Sequence, residues 1–237
     1  MKKRVIFLFI AAVAIVVFAN FGRSVWVPVY IKVKGKETIK SIEEKIETDS
    51  LERLWSSLRA AGFSELPNEM ALVAIKEDQV LEIWGKQSSK WVLIKTYPFT
   101  AFSGKPGPKL KEGDKQIPEG IYKIEYLNPN SLFYLSMKVS YPNDFDRAKA
   151  ATDGRTNLGG DIFIHGKDKT IGCIPIGDEP IEEVFLLASK TLKNEIKVVI
   201  SPVDFRKAEP YPNIESVSWS DELYESIELE LKTSFSN

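Results

Sequence analysis

Apolar positions along this chain follow three successive rhythms. From Val5 to Ala19 they run without interruption, behind Lys2, Lys3 and Arg4, and no charge follows before Arg23. Such a run is nearly long enough to span a bilayer. A basic head, an apolar stretch and the small residues around Val17-Phe18-Ala19 equally describe a secretory signal. Residues 1–22 are therefore expected to be a signal peptide or an N-terminal membrane anchor, the anchor running through residues 5–22 with Trp26 at the interface. Both readings export the rest of the chain to the periplasm or cell envelope, secreted or membrane-anchored.

The second rhythm is helical. Ile39, Ile42 and Ile46 recur at helical spacing, and Leu51, Leu54 and Leu58 do so again, with Asp49 or Ser50 placed to cap a second part and Gly62 to end it. Residues 23–66 are expected to form a helical N-terminal segment, and "ELPNEM" (65–70) a turn leading into the main domain.

Beyond Met70 the period drops to two. Residues 71–104 hold three short apolar strands separated by charged or Gly/Ser turns, and strands resume at "IYKIEYL" and "LFYLSMKVSY". Between them, residues 103–120 carry too much Gly, Pro and Lys for a regular element and form a long loop. A short helix is expected around Phe145–Ala151, then a strand at "DIFIHG". After that come a helix over "DEPIEEVFLLASKTLKN", capped by Asp178 with Pro180 in its first turn, and a strand at "EIKVVISPVDF". The pattern predicts a mainly β domain with peripheral helices (α+β), built on a curved mixed sheet or sandwich, over residues 67–204. Residues 205–237 form a C-terminal tail with an acidic amphipathic surface helix.

Composition narrows the function. A formal net charge of -1 offers no field for holding nucleic acid, and one cysteine excludes an intrachain disulfide. That cysteine, Cys173, lies eight positions from the only histidine, His165, within "DIFIHGKDKTIGCIPIG". Two ordinary core residues are one explanation. A nucleophile–base pair is the other, because a neighbouring imidazole can draw the thiol proton and favour an ion pair. Gly172 would let the backbone turn sharply, so that amide groups there could face a substrate carbonyl. Asp161 and Asp168 flank the motif, but one histidine with scattered carboxylates is a poor metal set, and no cofactor is expected.

"IHG…TIGCIPI" resembles the active-site segment of the L,D-transpeptidase (YkuD-domain) family. The ordered series GPK, GD, PEGIY, NP, YPN, HG and GC resembles its YafK-like branch, over roughly Met70 to Pro202. The resemblance implies Cys173 as nucleophile, His165 as general base, and Gly172 and Cys173 as oxyanion-hole residues. Thr170 takes the family's Ser/Thr position, and the Gly166 carbonyl would orient the ring. Ile171 stands where many members have a second histidine and Pro175 where an arginine is common, and the intervening loop is short; no substrate-binding arginine is carried over. The implied substrates are peptidoglycan stem peptides, cleaved through a thioester that an amine acceptor or water resolves. Lys109 and Tyr141 are candidate substrate contacts, against a solvated loop and simple packing. A hydrolase of the same family, a non-catalytic wall-binding protein and a cysteine peptidase acting on proteins remain alternatives.

Overall fold

The computed structural model describes residues 2–207 and 210–236. Eight strands form one sheet: β1 (Met70–Ile75), β2 (Val80–Gln87), β3 (Lys90–Pro98), β4 (Gly120–Ser131), β5 (Tyr134–Val139), β6 (Phe163–His165), β7 (Ile174–Pro175) and β8 (Lys197–Ser201), in the order β3-β2-β1-β8-β4-β5-β6-β7. The β1–β8 and β6–β7 pairs are parallel and the other neighbours antiparallel. β4 serves two partners. Gly120 to Lys123 pair with β8, and from Ile124 onward, across two register irregularities, the strand pairs with β5. Such irregularities bend a strand, and the sheet curls there. The result is the curved mixed sheet with peripheral helices that the apolar rhythm predicts.

Alternation along β1 assigns the two faces. Met70, Leu72 and Ala74 join the larger core beneath α3 (Ile39–Ala60) and α5 (Asp178–Thr191), while Ala71, Val73 and Ile75 join a second core beneath α6 (Ser220–Ser234). α5 is buried on most of its circumference because α3 lies across it. Arg53 of α3 pairs with Glu182 and Glu183 of α5, and Lys95 of β3 also reaches Glu183.

Three expectations need correction. α3 runs unbroken past Asp49 and Ser50, since a capping box at Thr38 and Ser41 starts the whole helix and Ser50 sits buried within it. α6 is not merely a surface helix. Leu223, Tyr224, Ile227 and Leu231 are buried against the sheet, each such side chain contributing about 1.5–3 kcal/mol. α5 is N-capped by Gly177, with no side-chain cap, and Asp178 is used elsewhere.

At the amino end, α1 (Lys2–Phe21) and α2 (Arg23–Lys34) meet at Gly22. Among the described residues no single helix is long and apolar enough to cross a membrane; Leu8–Ala19 and Arg23–Val33 pass that test only together, with a 77° bend between them. α4 (Asp144–Thr152) closes the set, capped by Asn143.

A buried ion pair fixes the long loop. Lys76 Nζ, at the end of β1, donates to Glu119 Oε1 at 2.6 Å and to the carbonyls of Gly107 and Ile117. Glu119 also accepts from the Gly107 amide and from the Tyr224 hydroxyl of α6 at 2.9 Å. Burial pulls the Lys76 ammonium below its ordinary value while Glu119 holds it up. Removing either partner would leave a buried charge unpaired, at a cost of about 3–5 kcal/mol. The loop thus becomes a fixed wall beside the Gly172-Cys173 turn.

Candidate active site

The two candidate catalytic residues lie at the adjoining strands β6 and β7. His165 ends β6 and pairs in register with Pro175, and Cys173 immediately precedes β7. The Cys173 sulfur lies at the head of β6, with its S–H directed to the Asp161 carbonyl at 3.5 Å. Among the described residues, no hydrogen bond joins the thiol to the imidazole.

His165 is 1% exposed. Its Nδ1 lies 2.5 Å from the Gly166 carbonyl oxygen, which makes Nδ1 the protonated nitrogen and leaves Nε2 with the free lone pair. Phe133 stacks on the ring at 4.6 Å between centroids. Gly166 can be nothing else, because a methyl group there would lie 2.7 Å from Asp178 Oδ1 and 2.9 Å from the Phe133 carbonyl.

The turn before the cysteine is tied by Thr170. Its Oγ1 accepts from the amides of Gly172 (3.1 Å) and Cys173 (2.8 Å) and donates to the Cys173 carbonyl (2.7 Å). The two amides expected to form the oxyanion hole are therefore engaged in the resting turn. In this structure neither amide is free to meet a substrate oxygen, since a short polar side chain can bond to nearby backbone groups more readily than anything further away. Gly172 adopts φ +130°, and a methyl group on it would sit 3.0 Å from the Gln116 carbonyl of the long loop. Asp178 holds the other end of the turn, accepting from the Lys167 amide at 3.0 Å and pairing with the Lys167 ammonium.

Burial decides the charge state. Desolvation pushes the Cys173 thiol above its ordinary value; the Phe163 amide, Lys138 and Lys109 pull it down, and Asp161 pushes it up. Desolvation also lowers the His165 imidazole, with the Gly166 carbonyl opposing. Both shifts favour the thiol and the neutral imidazole over an ion pair, because desolvation disfavours both charged forms.

Lys109 and Tyr141 do not offer free groups to a ligand. Lys109 is 5% exposed and its ammonium is spent on Asp114 (2.6 Å) and the Lys111 carbonyl. Tyr141 is buried, its hydroxyl 3.2 Å from the carbonyls of Lys109 and Leu158. In this structure both side chains are engaged within the protein. Sequence reasoning missed Lys138, whose ammonium lies 3.0 Å from Asp161 Oδ1 and over the Phe163 ring. It also missed Phe133 and Gln116. In the sequence Lys138 reads as an ordinary outward position of "LFYLSMKVSY", alternating with the core residues Leu135, Met137 and Val139. Among the described residues there is no group of three His, Cys, Asp or Glu side chains placed to hold a metal ion.

At one end of this curled mixed sheet, His165 on β6 and Cys173 just before the edge strand β7 lie on adjoining chain segments. The family model of the YkuD L,D-transpeptidase catalytic domain matches residues 69–200, more than half of the chain, and the chain belongs to that family. It is 31% identical over 119 residues to YafK of Escherichia coli (strain K12), itself designated an L,D-transpeptidase only provisionally. The match covers 49% of this chain and 46% of YafK, so the chain spans about half the length of the curated relatives it matches. Among solved structures, it resembles the helical cell shape determining protein Pgp2 of Campylobacter jejuni at 21% identity and a TM-score of 0.48, over 68% of this chain and 53% of that one. It also resembles Bdellovibrio bacteriovorus Bd1075 at 19% identity and a TM-score of 0.42, over 70% and 56% of the two chains.

Proposed function

We propose that this protein is a cysteine-dependent acyltransferase of the cell envelope that acts on peptidoglycan stem peptides through a thioester. The observation that carries the reading is the seat of the only cysteine. It is partly exposed on a glycine turn beside the strand that bears the only histidine. Membership of the L,D-transpeptidase family supports the substrate class, and the basic-then-apolar amino end supports export.

The neutral resting pair sets the order of events. Nε2 of His165 takes the thiol proton as Sγ attacks the carbonyl carbon of the stem peptide, so charge develops only once substrate has displaced water. The tetrahedral intermediate then breaks its C–N bond, and the imidazolium returns that proton to the leaving amine. An amine acceptor, or water, attacks the thioester next, gives its proton to His165 and releases the thiol. For the Gly172 and Cys173 amides to serve the oxyanion, Thr170 must let go of them in the bound state, so that both amides donate to the substrate oxygen instead of to the Thr170 hydroxyl.

The test compares wild type with Cys173→Ala on isolated peptidoglycan, with products read by mass spectrometry. Wild type should change the muropeptide profile and Cys173→Ala should not. Equal profiles would end the catalytic reading and leave a wall-binding module.

A further inference from the structure

We propose that α2 is an interfacial helix, with one face bound to the catalytic domain and the opposite face lying in a lipid surface. Successive residues of a helix turn by about 100°, which places Arg23, Val27 and Ile31 on one side and Val25, Val29 and Val33 roughly opposite. The first side docks. Val27 is 5% exposed, the Arg23 guanidinium donates to the Leu132 carbonyl at 2.6 Å, and Glu37, just past the helix, exchanges hydrogen bonds with Asn130 of β4. The second side is bare, with Val25, Val29 and Val33 60–83% exposed.

An apolar stripe of this kind needs an occupant, and the adjoining helix says which. Ile6, Phe9, Ile10, Val13, Ile15 and Phe18 of α1 are all exposed, and together they face every direction around its axis. One partner protein could cover a single side; only a surrounding apolar medium covers them all. The 77° bend at Gly22 then turns the chain from insertion to lying flat. Trp26 and Tyr30 border the bare stripe, and Lys32 and Lys36 are exposed beside it, the arrangement a helix in the headgroup region requires.

This geometry bears on the active site. Arg23 and Ser24 line one cavity of about 360 Å³ together with Phe133, Lys167, Asp168 and Lys169. The ring that stacks on His165 and the loop leading to Cys173 therefore sit beside the helix elbow. If the function proposed above is right, the enzyme is held to stem peptides presented close to the membrane surface.

The lipid contact is tested without catalysis. In a Cys173→Ala background, single cysteines at Val25, Val29 and Val33, and at Ser24 and Lys36 as controls, are spin-labelled in the full chain. The labelled protein is placed in phosphatidylglycerol–phosphatidylcholine vesicles. The three valine positions should favour oxygen over an aqueous nickel chelate as relaxant, and the two controls the reverse. Aqueous-type accessibility at all three valines overturns the proposal. So does spin–spin coupling between labels on two copies, which would make the stripe a protein–protein face. Neither result touches the enzyme reading, which stands or falls on the muropeptide comparison.

Discussion

The hydroxyl oxygen of Thr170 lies 2.8 Å from the Cys173 amide nitrogen, and the same hydroxyl donates to the Cys173 carbonyl at 2.7 Å. With the Gly172 amide as a third partner, one side chain sets the shape of the turn that presents the sulfur. Thr170→Val keeps the volume and removes all three bonds. At about 0.5–1.5 kcal/mol per bond, the variant should lose about 2–3 kcal/mol in urea unfolding, and Thr170→Ser should stay near wild type. Equal midpoints for threonine and valine would show that the turn holds without the hydroxyl.

The thiol titrates within a local field of named charges. Lys138 favours the thiolate and Asp161 opposes it. Because the chain has one cysteine, the pH dependence of iodoacetamide alkylation reads that titration directly. Lys138→Met should move the midpoint to higher pH and Asp161→Asn to lower pH. The Asp161 shift should be the more salt-sensitive, since its side chain is 92% exposed. A midpoint unmoved by Lys138→Met would remove this lysine from the site's electrostatics.

Gly172 is constrained twice, by φ +130° and by the Gln116 carbonyl. Gly172→Ala should cost about 1–3 kcal/mol, read as a lower denaturant midpoint. It should also slow Cys173 alkylation or acylation, since the added methyl group moves the turn. Gly154→Ala is the control: it shares a positive φ, but nothing stands within 4 Å of the new methyl group.

His165 links stability to pH. Its imidazole is lowered in the folded protein, so between the ordinary imidazole value near 6.5 and the lowered one the unfolded chain binds more protons. Stability is therefore held above about pH 6.5 and falls as the pH drops through that window. Asp146 acts in the opposite sense, because burial raises its carboxyl to about 6 and its charging destabilises the fold as pH rises toward that value. Comparing wild type with His165→Gln cancels Asp146. The variant should lose less stability between about pH 7 and pH 5, measured by urea midpoints, and an identical slope would contradict the buried neutral ring.

Much of the site was legible because it is local. His165, Gly166, Thr170, Gly172 and Cys173 fall within nine consecutive residues, and the structure keeps them together around one turn. Lys138 and Phe133 were not legible, since antiparallel pairing of β5 with β6 brings them there from some thirty residues away. The setting of Lys109 was hidden for the complementary reason: a lysine in a Gly/Pro-rich loop looks solvated until its carboxylate partner, Asp114, closes over it.

The order of apolar and polar residues by itself determined the helices, the strands and the mixed α+β class, because periods of 3.6 and 2 are properties of a short stretch of backbone. Only the tertiary structure decided that α6 covers the second face of the sheet. It likewise decided that Lys76, Glu119 and Tyr224 meet in the core, that Thr170 occupies both turn amides, and that burial works against charge on the thiol and the imidazole. Each of those depends on desolvation or on partners distant in sequence, and neither is a quantity that neighbouring residues can encode.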